Sequence, residues 1–209
     1  MISITSIKDE IYRKIFHLLL LFVPISYYFL GKWKLLAILI PISIIIISLD
    51  FYRRQNQQIQ SYFIKIFGPI SLEHKIQQDK FCSASYACFV LTIMFLLFKS
   101  EIAILGALIL IICDSAAAII GRNFPSEPFF EKTLYGSAAF FISGIIVLIT
   151  CGLHYHFEAS LYIFGFFSLF VATMIEARPS LLHLDDNFTA PFSFALTLSI
   201  FDIIWNYSY

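Results

Sequence analysis

Asp114 is an acid set inside an apolar run, and seven residues later that run closes on Gly121-Arg122. A carboxylate at the centre of a membrane helix costs about 2.5–3.5 kcal/mol on insertion scales, so a chain that carries one there has a use for it. At 1.5 Å per residue Asp114 lies roughly 10 Å below the end of its helix. The plainer reading is a packing acid bonded to a serine or tyrosine of a neighbouring helix. The next apolar run opens with Lys132-Thr133-Leu134-Tyr135-Gly136-Ser137. The first amides of that helix, among them those of Gly136 and Ser137, carry the positive end of the helix dipole; with Lys132 and Thr133 they make a cradle suited to phosphate. Arg122 adds a planar fork to the same anion. Spacing alone equally allows Thr133 as an N-cap, with Arg122 and Lys132 as headgroup anchors.

A third cluster, Asp185-Asp186-Asn187, follows Glu176 and precedes the last apolar run. Two carboxylates and an amide are hard-oxygen donors of the kind magnesium takes together with substrate phosphates, so Asp114, Asp185 and Asp186 are the expected metal ligands. The same residues are also good N-caps. Weaker candidates are Arg13, Lys14 and His17 at the entrance of the first helix, Glu73 beside His74 and Lys75, and Glu176 itself. His154 and His156 alternate as metal ligands sometimes do, but they fall on the side away from the other polar groups, and Asp202 has no partner visible in the sequence.

The elements that must position these groups are membrane helices. Hydrophobic residues make up 59% of the 209 and charged residues 13%, a balance that excludes an ordinary soluble domain. About 20 apolar residues cross the hydrocarbon layer, and the runs 15–30, 33–51, 81–98, 102–121, 134–153, 159–177 and 188–207 predict an all-α integral membrane protein of about seven spans. It is expected to be one membrane-embedded catalytic domain over residues 1–209. Eleven of the 14 Lys and Arg residues fall at the N-terminus and in the loops on its side. That places the N-terminus and all three polar clusters in the cytoplasm and the C-terminus outside, in a bacterial inner membrane or an endoplasmic-reticulum-type membrane. Between the second and third runs, Ile59, Tyr62, Phe63, Ile66, Phe67 and Ile70 recur at helical spacing and predict an amphipathic helix at the cytoplasmic surface. Gly106, Ala107, Cys113, Ala117, Ala118 and Gly121 form a small-residue stripe for close helix packing. The four cysteines lack ligand spacing and read as buried small hydrophobes. Zero net charge without charge blocks argues against a nucleic-acid partner, and the phosphate loop of soluble kinases is absent.

Asp114-Ser115-Ala116-Ala117-Ala118-Ile119-Ile120-Gly121-Arg122 followed by Lys132-Thr133-Leu134-Tyr135-Gly136-Ser137 resembles the signature of the CTP-dependent membrane lipid kinases: dolichol kinase, phytol kinase and fungal-type diacylglycerol kinase. The resemblance extends to Arg13, Lys14 and His17 and to Asp186-Asn187-Phe188-Thr189 with Pro191. Tyr135 stands where the family has glutamate, and Pro125 where a second glycine is common. The CDP-diacylglycerol synthases carry a similar element, usually with Ser-Pro before Lys-Thr, where this chain has Phe130-Glu131. The resemblance implies CTP as phosphoryl donor, magnesium as cofactor, and a lipid alcohol (polyprenol, phytol-like or diacylglycerol) as acceptor. Asp114, Lys132 and Asp186 are then the expected catalytic groups, and Arg122, Lys132, Thr133, Gly136, Ser137 and Asn187 the nucleotide contacts. Cytidylyl transfer to phosphatidate is the alternative enzyme reading, and a small transporter the non-enzymatic one.

Overall fold

Gly31 interrupts the first long apolar run. The computed structural model describes residues 18–71, 81–181 and 184–205. In it α1, Phe22–Tyr52, turns at Gly31, whose φ of 74° and ψ of 170° suit glycine alone. The amphipathic segment forms α2, Gln57–Ser71, and Asn56 accepts from the amide of Gln58 at 2.9 Å as its cap. Next comes α3, Ser83–Leu97, whose 15 residues extend only about 22 Å. Ile104 and Leu105 belong to α4, Ser100–Leu108; one π-helical segment, Ile109–Cys113, joins it to α5, Asp114–Asn123. A two-stranded hairpin, β1 Pro128–Phe129 and β2 Lys132–Thr133, leads into α6, Leu134–Tyr155. Finally α7, Ala159–Glu176, is followed by α8, Asp186–Trp205.

The expectation of an all-α membrane protein holds. Five helical runs among the described residues are long and apolar enough to cross a membrane: Leu18–Tyr52, Ser100–Asn123, Leu134–Tyr155, Ala159–Glu176 and Asp186–Ile204. The first two expected spans are joined in one run, with Gly31 as their boundary, and α3 is short for the hydrocarbon thickness. Arg13, Lys14, His17 and Glu73 lie outside the described residues.

The chain divides after Thr92 into two units. In the first, the end of α1 carries a buried ion pair that the sequence reading passed over. Arg53 Nε donates to Asp50 Oδ1 at 2.6 Å, both side chains being fully buried. The amide of Cys82 and the hydroxyl of Ser85 donate to Asp50 Oδ2, and the Arg53 guanidinium lies 4.9 Å from the centre of the Phe63 ring. The ion pair thus ties the end of α1 to α2 through Arg53 and to the start of α3 through Asp50. Ser43 and Thr92 add a hydroxyl–hydroxyl bond of 2.6 Å between α1 and α3. Asp50→Ala would take a buried carboxylate from Arg53, the Cys82 amide and the Ser85 hydroxyl together, so a loss of about 3–5 kcal/mol is expected. Thermal unfolding in detergent checks this; an unchanged midpoint would show that the pair does not hold the unit together.

The second unit is built on α4 through α8. Its core includes Ile102, Leu105, Phe140, Leu148, Leu169, Phe194 and Leu198, each at most 4% exposed. The expected small-residue stripe divides into two faces. A Cβ on Gly106 would meet Met94 Sδ and the Pro191 carbonyl of α8, whereas one on Gly121 would meet Thr133 and Gly136 at the start of α6. The π turn between them is the reason, since its wider winding resets the helical register. Asp202 pairs with Lys99, 3.0 Å away. The cysteines are free, three of them buried, as expected.

Candidate functional site

Lys132 is positioned by the hairpin that holds it. Pro128 pairs with Thr133 and Phe129 with Lys132, leaving Phe130 and Glu131 as the turn. Phe130 takes φ 54°, an unfavourable value for a bulky residue, so tertiary contacts must hold the turn. They do so at the end of α7. The Glu131 amide donates to the Ala177 carbonyl at 3.0 Å, the Ser180 hydroxyl and amide donate to the Glu131 carboxylate, and Arg178 lies over the Phe130 ring. These ties bring Lys132 beside Glu176, the last residue of α7.

The Lys132 ammonium donates to Asp186 Oδ2 at 2.6 Å and lies 3.3 Å from Glu176 Oε1. Ser137, one turn into α6, donates to Glu176 Oε2 at 3.4 Å. Burial alone would push the amine toward neutrality, but Asp186 and Glu176, with the more distant field of Asp114, hold its pKa above the ordinary lysine value. Lys132 therefore stays charged across the working pH range. Its stabilisation is complete below the ordinary lysine pKa and is lost only as pH rises through the folded value.

The first amides of α6 are not open. Leu134 N donates to the Glu127 carbonyl at 3.0 Å, Tyr135 N to the Ser126 hydroxyl at 3.0 Å, and Gly136 N to Thr133 Oγ1 at 3.2 Å. This corrects the expected cradle: the chain supplies its own acceptors, and Thr133 is the N-cap. Gly136 acts in packing rather than as an anion contact. Its Cα meets that of Gly121, where α5 and α6 cross too closely for a Cβ on either residue. Thr133 keeps its hydroxyl proton to donate. Arg122 is exposed at the last turn of α5.

At the start of α8, Asp185 uses Oδ1 to accept from the amide and the side-chain Nδ2 of Asn187, at 3.1 and 2.7 Å. The N-cap reading of this residue is thus realised, and that oxygen is committed. Asp186 differs, presenting Oδ2 to Lys132 while Oδ1 accepts from the Asn187 amide at 3.1 Å. Asn187 is 8% exposed, and its buried Oδ1 has no hydrogen-bond partner. A buried amide oxygen left unpaired is costly and suits a cation or a donor supplied by a ligand.

Asp114 opens α5 directly after the π segment, a local geometry that often accompanies functional residues. It is half-buried, and its field is felt at Lys132. Thus Asp114, Lys132, Ser137, Glu176 and Asp186, spread over 73 positions of sequence, form one electrostatic neighbourhood. Among the described residues no three His, Cys, Asp or Glu side chains are arranged to hold a metal by themselves. Asp186 and the Asn187 amide oxygen nevertheless match magnesium, which is satisfied by one or two carboxylates when phosphate oxygens complete its shell. His154 and His156 are exposed at the other end of α6, about 30 Å along the helix from Lys132.

The sequence reading ranked Glu176 low and missed Ser126, Glu131 and Ser180. Glu176 had a signal, an acid at the end of an apolar run. The others acquire their roles only when the hairpin closes.

No family model and no solved structure matches the chain. It is 29% identical over 194 residues to the uncharacterized protein RP860 of Rickettsia prowazekii, covering 92% of this chain and 94% of that protein. It is 30% identical over 193 residues to the uncharacterized protein MJ1137 of Methanocaldococcus jannaschii, covering 91% of this chain and 93% of that protein. The chain belongs to the family of the Methanocaldococcus protein. Both similarities run along nearly the whole of each chain.

Proposed function

We propose that this protein transfers the γ-phosphoryl group of CTP to the hydroxyl of a lipid alcohol. The observation that carries the reading is the Lys132 ammonium held by Asp186 and Glu176, with Asp114 close enough to act on it. A cation, a half-buried acid and a buried unpaired amide oxygen are the parts that phosphoryl transfer asks for, because its catalysis is mostly positioning and charge neutralisation. CTP as the donor rests on the resemblance of Asp114–Arg122 and Lys132–Ser137 to the CTP-dependent lipid kinases.

In this reading Lys132, Thr133 and Arg122 bind the polyphosphate. Asp114 orients the alcohol and accepts its proton as the oxygen attacks the γ-phosphorus; the bond between that phosphorus and the β–γ bridging oxygen breaks, and CDP leaves. Asp186 and Asn187 would hold magnesium, which when bound neutralises charge on the phosphate oxygens. Glu176 fixes Lys132, and Ser137 fixes Glu176. The chain has seven spans, with Gly31 parting the first two and α3 serving as the third. The N-terminus and the Lys132 site face the cytoplasm, as the distribution of Lys and Arg favours, and the C-terminus lies outside, in a bacterial inner membrane or an endoplasmic-reticulum-type membrane.

The test is to incubate the purified protein with alpha-labelled CTP and, in turn, a polyprenol, phytol, diacylglycerol and phosphatidate. Label recovered in CDP, with phosphorylated lipid formed, is the expected result. Label entering the lipid instead identifies a cytidylyltransferase. Vesicle uptake of a phosphate compound without CTP turnover would defeat both enzyme readings.

A further inference from the structure

Asp186 has two carboxylate oxygens, and the protein uses both. Oδ1 accepts from the Asn187 amide, and Oδ2 takes the Lys132 ammonium at 2.6 Å. Next to it in sequence, Asn187 carries a buried Oδ1 without any partner. A divalent cation seeking hard oxygens here would want Asp186 Oδ2 and Asn187 Oδ1, and the first is already occupied by a monovalent cation that belongs to the chain. The two partners of Lys132 also differ in burial: the Glu176 side chain is 3% exposed, that of Asp186 24%. The Asp186 contact is the shorter of the two but the one that an incoming cation can reach, since Glu176 is covered and holds Ser137 as well.

We propose that Lys132 is a built-in competitor for the divalent cation: its ammonium holds the cation position on Asp186 in the nucleotide-free protein and moves off it, still tethered by Glu176, when metal and polyphosphate arrive together. This rests on the reading of the site as one for a metal–nucleotide complex and adds how its loading is regulated. The metal alone must displace a lysine whose charge then has one carboxylate partner fewer. A polyphosphate supplies replacement partners for that charge, and the two ligands therefore bind cooperatively. The device keeps the carboxylate from lying bare in the resting protein.

The experiment uses manganese as a paramagnetic probe and the full chain in detergent, with free manganese followed by electron paramagnetic resonance and no nucleotide present. If Lys132 holds Asp186 for nine-tenths of the time or more, apparent affinity is lowered about tenfold, so Lys132→Met should bind manganese about tenfold more tightly than wild type. Adding Asp186→Asn to that variant should abolish the gain. The same idea is tested in the wild type without any substitution. Manganese at saturation, which can take Asp186 only by displacing the lysine, should raise the acylation of Lys132 by an amine-reactive reagent, read by mass spectrometry, and a nucleoside triphosphate should lower the manganese concentration needed. A folded Lys132→Met that binds manganese no better than wild type, or Lys132 acylation indifferent to manganese, overturns the inference. Either result alongside normal CTP turnover leaves the kinase reading standing. Manganese effects as expected without any CTP turnover support the competitor and overturn the kinase reading instead.

Discussion

Asp114→Asn is expected to lower the proposed CTP-dependent phosphorylation of a lipid alcohol by about 10²-fold or more, with the protein extracted and unfolding as wild type. Asparagine keeps the shape and most hydrogen bonds of the side chain but can neither accept the alcohol's proton nor add a negative field at Lys132. A packing role would show the opposite signature, little change in rate and a lower unfolding temperature. His154→Ala is the matched control, because His154 is exposed at the far end of α6. Product formation measured for both variants decides the matter. Near-normal turnover in Asp114→Asn, or equal damage from His154→Ala, would place the chemistry elsewhere.

Gly136→Ala should destabilise the protein even though alanine is the better helix former. The propensity gain is about 1 kcal/mol. Against it, the new Cβ would stand 2.8 Å from Thr133 Oγ1, 3.2 Å from the Ala117 carbonyl and 3.3 Å from the Gly121 Cα. Two of those three atoms are backbone and cannot turn aside. Overpacking costs about 1–3 kcal/mol, and pushing Thr133 from its capping position about 1 kcal/mol more. The expected net loss is about 1–3 kcal/mol, accompanied by a fall in turnover, because Thr133 and Lys132 are the strand that the crossing displaces. Thermal unfolding of the detergent-solubilised variant measures it, and a midpoint equal to or above wild type would show that α5 and α6 can separate at no cost.

The main chemical groups were legible because charge in an apolar chain is conspicuous. Asp114, Lys132 and Asp186 stand out from their surroundings, and alternate loops face the same side of a membrane, so their meeting could be anticipated. What the α6 amides do could not. Their acceptors are Ser126, the Glu127 carbonyl and Thr133, two of them brought near only by a hairpin whose strands have two residues each, too short for an alternating pattern. Asp50 and Arg53 are three apart and readable as a helical pair, yet their burial depends on Cys82 and Ser85, more than 30 residues away. Hydropathy locates the apolar runs but registers neither the turn at Gly31 nor the shortness of α3, so their positions were more legible than the number of crossings.

The π segment ahead of Asp114 bears on how such chains diverge. Deleting one residue between Ile109 and Cys113 would let this stretch relax into a plain α-helix and would hardly change its length or its hydropathy. Because the π turn absorbs one extra residue, such a deletion would leave Asp114 on the face it now has, whereas winding the same five residues as plain α-helix would turn it by about 100°, away from Lys132. A related chain with one residue fewer at that point can therefore still set its acid beside the lysine. A one-residue gap at that point is then no sign that the site is lost, whereas a full-length segment wound as plain α-helix is.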